Sequence, residues 1–253
     1  MSKTYDVIVI GAGSVGVPAA MSLAEAGLSV LVLESKHSPG QVNNKKAIGG
    51  IRATHSDYGK IQVGLRSIEI FSTWQEKYGD HIGWLSNGYS FPAYNETDEK
   101  KLKDLMKIQL SFGLNIRWVS PDEYAALVPG INTENLRGST YSPEDGSASP
   151  LLAISAIYFK SIEFGAEYRF NEKVTGFDVQ GSDDGGKQIT VVKTDKSSYA
   201  CGHVVNAAGN HATELGRMLG IELPINPDNH EGAITEPVKR FFGPMVVDMR
   251  PAE

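Results

Sequence analysis

Cysteine is all but missing. Cys201 is the one thiol among 253 residues, so no internal disulfide can form and no thiolate cage can hold a metal. The six histidines, His37, His55, His81, His203, His211 and His230, show no H-x-x-x-H spacing, and no metal site is expected. No G-x-S-x-G elbow follows a strand-like run, which removes the usual serine-hydrolase arrangement. No apolar stretch approaches the roughly 18 to 20 residues that cross a bilayer, so no membrane span is expected. Positive charge is in deficit as well: 24 Lys+Arg against 30 Asp+Glu give a formal charge of -6, with no local basic stripe for nucleic acid. Met1 to Asp6 lead straight into a strand-like run with no signal-peptide core, which points to a reducing, cytoplasmic setting.

What is present reads as globular. Apolar residues make up 41% and charged residues 21%, enough to build one large domain or two interleaved ones. Val7-Ile8-Val9-Ile10 is a continuous β-branched run, as expected of a strand covered on both faces, and it ends at glycines followed by an Ala-rich helical stretch over 15–26. Gly27 closes that helix and Val30-Leu31-Val32-Leu33 makes a second buried strand, so residues 5–34 form a βαβ unit with a parallel pair. Helices are predicted over about 57–78, 96–112 and 151–164, with a shorter one over 213–220, and a hairpin around Asn87-Gly88 within 82–94. Strands over 174–180, 188–194 and 198–201 form a meander, joined by Asp184-Gly185-Gly186 and by Asp195-Lys196. A further buried strand runs from Val204 to a glycine turn at Gly209, and strands close the chain at 232–236 and 245–249. A nicotinamide dehydrogenase would continue to repeat βαβ units after the second strand, and this chain does not.

Gly11-Ala12-Gly13-Ser14-Val15-Gly16 satisfies G-x-G-x-x-G in its informative context: after a strand, opening a helix, with Glu34 at the end of the second strand. Gly11 permits the sharp turn, Gly13 lets backbone approach a pyrophosphate, and Gly16 lets helix and strand pack closely. The phosphates would sit on free N–H groups at the positive helix end, and Glu34 would accept from ribose hydroxyls while repelling a 2′-phosphate. The competing reading is a structural turn beside a surface glutamate. Further on, Lys45-Lys46-Ala47-Ile48-Gly49-Gly50-Ile51-Arg52 joins cations, a glycine pair able to lie flat on a planar ring, and an arginine suited to bidentate carboxylate recognition. A solvated loop whose arginine pairs a surface acid is the alternative. His55 is either a titrating neighbour of a site or an ordinary loop residue.

Residues 6–16, Gly49-Gly50-Ile51-Arg52, Asp145-Gly146-Ser147-Ala148-Ser149-Pro150 and Val204-Val205-Asn206-Ala207-Ala208-Gly209 together resemble the D-amino-acid-oxidase-like flavoprotein family, in particular its sarcosine oxidase β-type, dye-linked proline dehydrogenase and glycine oxidase branches. The resemblance covers essentially the whole chain. It implies an α/β fold: a Rossmann-like FAD-binding domain of the glutathione-reductase type over 1–80 and 145–222, interleaved with an α+β substrate domain over 81–144 and 223–253 whose mixed sheet is largely antiparallel. It also implies FAD with Gly11, Gly13, Ser14 and Gly16 at the pyrophosphate, Glu34 on the ribose, Ser35 and Lys36 near the adenosine, and Val174 offering backbone to the adenine. Lys46 and Ala47 take the place of an Arg-Asn pair that family members often carry near the flavin, with Gly49 and Gly50 following, and Ala208-Gly209 match the turn that packs on the cofactor. Arg52 matches the family arginine close to the flavin ring and is the implied substrate-carboxylate anchor.

The implied activity is dehydrogenation of the C–N bond of a small amino acid such as sarcosine, glycine or proline, by hydride transfer to FAD. The alternatives are oxidation of a hydroxy acid or glycerol 3-phosphate, and a flavin-binding fragment without turnover of its own. Family chains usually continue past the point where this one stops, through a lysine over the ring and a second carboxylate-gripping group, and neither maps here. Truncation, completion by a partner subunit, or a variant that does without are the expectations, and an electron acceptor of unstated kind is required.

Overall fold

A computed structural model describes residues 4–181, 186–228 and 231–250. In chain order these form β1 (Thr4–Ile10), α1 (Gly16–Glu25), β2 (Val30–Leu33), a 3-10 turn (Asn44–Lys46), β3 (Gly50–Ile51), α2 (Tyr58–Tyr78), β4 (Tyr89–Ala93), α3 (Glu96–Ser111), β5 (Arg117–Val119) and α4 (Pro121–Leu127). There follow β6 (Gly138–Ser142), β7 (Gly146–Ser147), α5 (Pro150–Glu163), β8 (Glu167–Arg169), β9 (Val174–Gly181), β10 (Lys187–Thr194), β11 (Ser198–Asn206), α6 (Ala212–Met218) and β12 (Met245–Val246). Asp184 and Gly185 of the expected meander turn lie outside the described residues. The chain divides into two compact units, Met1–Ala47 with Pro150–Gly232, and Ile48–Ser149 with Ala233–Glu253.

The first unit is built on a six-stranded sheet in the order β8-β2-β1-β11-β10-β9. Its first four strands are parallel and its last three form the antiparallel meander. Ile8 and Val9 are fully buried, as a β-branched run flanked by strands on both sides requires. Ile8, Ile10, Leu31, Leu33, Val192 and Leu215 share one core, and each such side chain contributes about 1.5–3 kcal/mol relative to exposure. The two late strands expected at 198–201 and from Val204 are one strand, β11: Ala200 pairs antiparallel with Val191 of β10 and parallel with Thr4 of β1. Gly202 lets the strand run on, because a Cβ there would lie 3.1 Å from the Asp6 carbonyl oxygen.

The second unit carries a four-stranded sheet in the order β12-β4-β6-β5, with β4, β6 and β5 antiparallel and β12 parallel to β4. The hairpin expected around Asn87-Gly88 does not form. Gly88 has the positive φ of a turn, 81°, but its N–H donates to the Asp145 carbonyl, and β4 finds its partner in β6, some fifty residues away. The strand expected at 232–236 is irregular, and the one at 245–249 shortens to β12. Residues 48–80, expected with the first unit, fall in the second, because α2 packs on β3 and feeds Ile68 into a core with Ala53, Leu114 and Ile116.

α2 starts where Asp57 accepts the Lys60 N–H and ends at Gly79, left-handed at φ 80°. Gly64 sits on the backbone that leads out of β3: a Cβ there would lie 2.7 Å from both the Arg52 carbonyl oxygen and the Ala53 Cα. Gly64→Ala is therefore expected to destabilise the protein by about 1–3 kcal/mol by forcing α2 off this strand. Thermal melts check it, and an unchanged midpoint would mean that α2 does not seat the strand.

Candidate active site

In the first unit, the ends of β1 and β11 and the loop after β2 open on a cleft of about 820 Å³. The glycine turn is held by backbone: the Gly11 N–H donates to the Leu33 carbonyl, the Gly40 N–H to the Ala12 carbonyl. Gly11 has φ 106°, and a Cβ on it would strike the Ala207 carbonyl oxygen at 2.5 Å. Gly16 lies so close to Gly11 that a Cβ would come within 1.8 Å of its carbonyl oxygen. Gly13 is different, since a Cβ there meets nothing within 4 Å and would project into open space. No side chain caps α1 and no acid lies in its first turn; the Val17 N–H donates to the Gly13 carbonyl at 3.1 Å and Pro18 has no N–H, so the donors open to an anion are those of the turn just before, at Ser14 to Gly16.

Glu34 has a second task that its place in the sequence did not suggest. Oε2 accepts the Ala12 N–H at 2.8 Å, and Oε1 accepts the Lys36 N–H at 2.8 Å and the Ser35 hydroxyl at 3.2 Å. The carboxylate thus braces the glycine turn, and Oε2 keeps a second lone pair. Ser14, Ser35, Lys36, Val174, Ala208 and Gly209 also line the cleft. Lys46 and Ala47 do not; they are exposed at the end of the 3-10 turn. Two residues that sequence reasoning left unassigned belong to this site. Asn206 accepts the Ala208 N–H at 3.3 Å and donates to the Ala212 carbonyl at 3.0 Å, shaping the turn into α6. Glu172, 5% exposed, accepts the Tyr199 hydroxyl at 2.9 Å and the Thr194 hydroxyl at 2.7 Å on the cleft wall. Asn206 stood in a quoted motif; nothing local marked Glu172, whose partners come from two other strands.

In the second unit, Gly50 opens β3, with Gly49 directly before the strand and Arg52 directly after it. Gly49 takes φ 78° and its carbonyl accepts the Ala148 N–H, while Gly50 pairs with Ser147 of β7. Gly50, Arg52, His55, Lys60 and Phe71 face a pocket of about 610 Å³. The Arg52 guanidinium lies 5.5 Å from the Phe91 ring centroid and 5.9 Å from that of Tyr89, and it donates to the Thr54 carbonyl. It makes no ion pair among the described residues, which decides against the loop arginine neutralised by a surface acid. Burial lowers the His55 pKa, and the Arg52 and Lys60 charges lower it further, so the ring is neutral at pH 7.

Asp145 closes this site from behind. It is fully buried, its Oδ1 accepts the Ala53 N–H at 2.8 Å, and Oδ2 is buried without a hydrogen-bond partner among the described residues. Burial pushes its carboxyl above the usual range; the Ala53 N–H, the Thr54 side chain and then the Arg52 charge draw it part of the way back. Among the described residues no group of three or more His, Cys, Asp or Glu could hold a metal ion, and no helix is long and apolar enough to cross a membrane.

The sequence profile of the DAO family, described as FAD dependent oxidoreductase, matches residues 6–251. Mitochondrial sarcosine dehydrogenase of Mus musculus is 28% identical over 240 residues, covering 94% of this chain and 26% of that protein. Sarcosine oxidase subunit beta of Arthrobacter sp is 26% identical over 241 residues, 92% of this chain and 58% of that one. The crystal structure of L-proline dehydrogenase from P. horikoshii superimposes with a TM-score of 0.90 at 32% identity, over 98% of this chain and 65% of that chain. The chain thus spans about a quarter of the sarcosine dehydrogenase and under two thirds of the others.

The glycines separate binding from folding. Gly13→Ala is expected to keep stability within about 0.5 kcal/mol while weakening FAD binding at least about tenfold, whereas Gly16→Ala loses about 1–3 kcal/mol or more. Melts and flavin-fluorescence titration check this, and unchanged FAD affinity in Gly13→Ala would sink the cleft assignment. Asp145 gives a pH test. Because its folded pKa is raised, the stability it contributes is full below the unfolded carboxylate range, near pH 4, and is lost as pH rises through the folded value. The stability of Asp145→Asn relative to the parent should therefore be more favourable at pH 7 than at pH 4. A difference that does not vary with pH in denaturant titrations would contradict this.

Proposed function

The chain belongs to the DAO family of FAD dependent oxidoreductases, and from that premise we propose that it dehydrogenates the C–N bond of a small amino acid such as sarcosine, glycine or proline to an imine. The observation that carries the reading is Arg52: a guanidinium near two aromatic rings, free of any carboxylate partner among the described residues, on the wall of a pocket. Such a group is suited to a substrate carboxylate.

The first unit fits FAD on its own geometry. The uncapped start of α1 and the open space over Gly13 suit a pyrophosphate, and the remaining Oε2 lone pair of Glu34 suits a ribose hydroxyl. When bound, FAD supplies a two-electron acceptor for the substrate C–H. The chain's own residues handle binding and protonation. Arg52 fixes the carboxylate, and the Phe91 and Tyr89 rings lie 5.5 Å and 5.9 Å from its guanidinium. The charges of Arg52 and Lys60, which add to burial in lowering the His55 pKa, also favour the neutral form of a substrate amine nearby, and an amine bound in that form keeps its nitrogen lone pair available. A strong general base is then not required.

Lys60 beside Arg52 also lends specific support to a second reading, oxidation of a hydroxy acid or glycerol 3-phosphate. The similarity to a sarcosine oxidase subunit supports a partner subunit. Purified protein is expected to be yellow and to bleach anaerobically with at least one of sarcosine, L-proline or glycine, and Arg52→Met should weaken that substrate at least about tenfold. Colourless protein, or a bound flavin bleached only by a hydroxy acid or glycerol 3-phosphate, would displace this reading.

A further inference from the structure

His55 lines the Arg52 pocket, half-buried, three residues beyond the arginine in the turn that leads from β3 to α2. Its main chain is held from both sides: the N–H donates to the Ala53 carbonyl at 2.7 Å, and the carbonyl accepts the Gln109 side-chain amide of α3 at 3.0 Å. Gln109 is 3% exposed, so a buried polar side chain is committed to fixing the root of this ring. A backbone hydrogen bond with Arg52 puts the proton of the neutral ring on one nitrogen. The other nitrogen keeps a lone pair. Among the other polar side chains of the pocket, Arg52 and Lys60 only donate, the Ser67 hydroxyl donates to the Val63 carbonyl, and exposed Asp57 accepts the Lys60 N–H that starts α2.

We infer that His55 is the acceptor for the substrate nitrogen: with the carboxylate on Arg52, an N–H of the amine donates to the free ring nitrogen. This rests on the reading of Arg52 as a carboxylate anchor. In a small α-amino acid a single carbon separates the nitrogen from the carboxyl group, so whatever meets the nitrogen must stand beside the anchor, as a residue of the same turn on the same pocket wall does. The kind of acceptor matters. Asp57 would hold the substrate as an ammonium, its lone pair locked in an N–H bond, because an opposite charge favours the charged form. A neutral imidazole accepts an N–H without that bias and leaves the lone pair free to form the C=N bond. Protonation of the ring cancels this, since the ring then only donates and adds a third positive charge to the pocket. The charged groups around it are Arg52 from the end of β3 and Asp57 and Lys60 from the start of α2, while α3 presents the uncharged Gln109. Acidification therefore weakens an amino acid and tightens a bare carboxylate, and because the pKa is lowered the exchange falls below pH 6.5.

The test compares the parent, His55→Leu, His55→Gln and Arg52→Met, each as the full chain loaded with FAD. KM is measured with whichever of sarcosine, L-proline or glycine bleaches the flavin, and acetate affinity by calorimetry, both at pH 8 and at pH 5.5, with melts on all four proteins. At pH 8, His55→Leu is expected to raise KM about tenfold while acetate and FAD affinity stay within about twofold; His55→Gln, whose amide oxygen accepts but takes no proton, should stay within about threefold of the parent KM. From pH 8 to pH 5.5 the parent is expected to bind acetate about threefold more tightly and to raise its KM more than His55→Gln does, and the tightening should be absent from both His55 variants. A KM in His55→Leu within twofold of the parent overturns the assignment. So does acetate affinity at pH 8 that falls as far as that for the amino acid, because the ring would then serve the carboxylate or the fold. If His55→Leu does not fold, His55→Gln decides: acetate binding that still tightens on acidification as in the parent overturns the assignment, and loss of the tightening upholds it. If Arg52→Met abolishes acetate binding while His55→Leu leaves KM unchanged, only His55 is misassigned. If Arg52→Met binds acetate as the parent does, or no amino acid bleaches the parent, the anchor reading fails and takes this one with it.

Discussion

Gly16 rests on the carbonyl of Gly11 with no space for even a methyl group between them. That approach sets the position of α1 relative to the end of β1, and the rest of the cleft follows from it. With the helix start pressed onto the turn, Gly11 must take a positive φ and pass under Ala207, which draws the end of β11 into the same wall. Glu34 then reaches back from the end of β2 to tie down Ala12. Three parallel strands thus deliver three loops to one place, and each loop is pinned by a backbone group of another. A cleft made this way is preorganised, because its donors need not be collected when an anion arrives.

The second unit solves an opposite problem, which is to keep a cation unspent. Arg52 has aromatic faces, a backbone carbonyl and a field from buried Asp145, yet none of these is a carboxylate within ion-pair distance. Asp145 is occupied in holding the Ala53 N–H, so its charge acts on Arg52 without capturing it. A direct salt bridge would have satisfied both groups and left nothing for a ligand to gain. The cost falls on the buried Oδ2, and strain of this kind at a binding site is what physical consistency elsewhere in a fold leads one to look for.

How much of this was legible in the residues depended on how local the cause was. The run Val7–Ile10, the G-x-G-x-x-G turn and Glu34 lie within thirty residues, and period, turn chemistry and helix capping place them together without help from the rest of the chain. The Asn87-Gly88 signal misled because its glycine has the φ of a hairpin turn but serves a strand whose partner, β6, is remote. Strands β3, β7 and β12 are two residues long and have no period to read. Arg52 was visible as an isolated cation after a glycine pair, yet the buried carboxylate behind it, Asp145, reaches the neighbouring Ala53 N–H across 92 residues. Glu172 could not be found for the same reason.

The central place of β1 has a consequence for how the molecule comes into being. Its neighbour on one side, β2, is made at once, but on the other side it must wait for residues 200–206. During synthesis the first βα unit therefore leaves the ribosome with an open apolar edge, and residues 34–199, the bulk of the second unit among them, must emerge before that edge is closed. Until then the cleft of the first unit lacks the wall formed after β11, and the nascent chain has to protect a bare parallel strand from pairing with others.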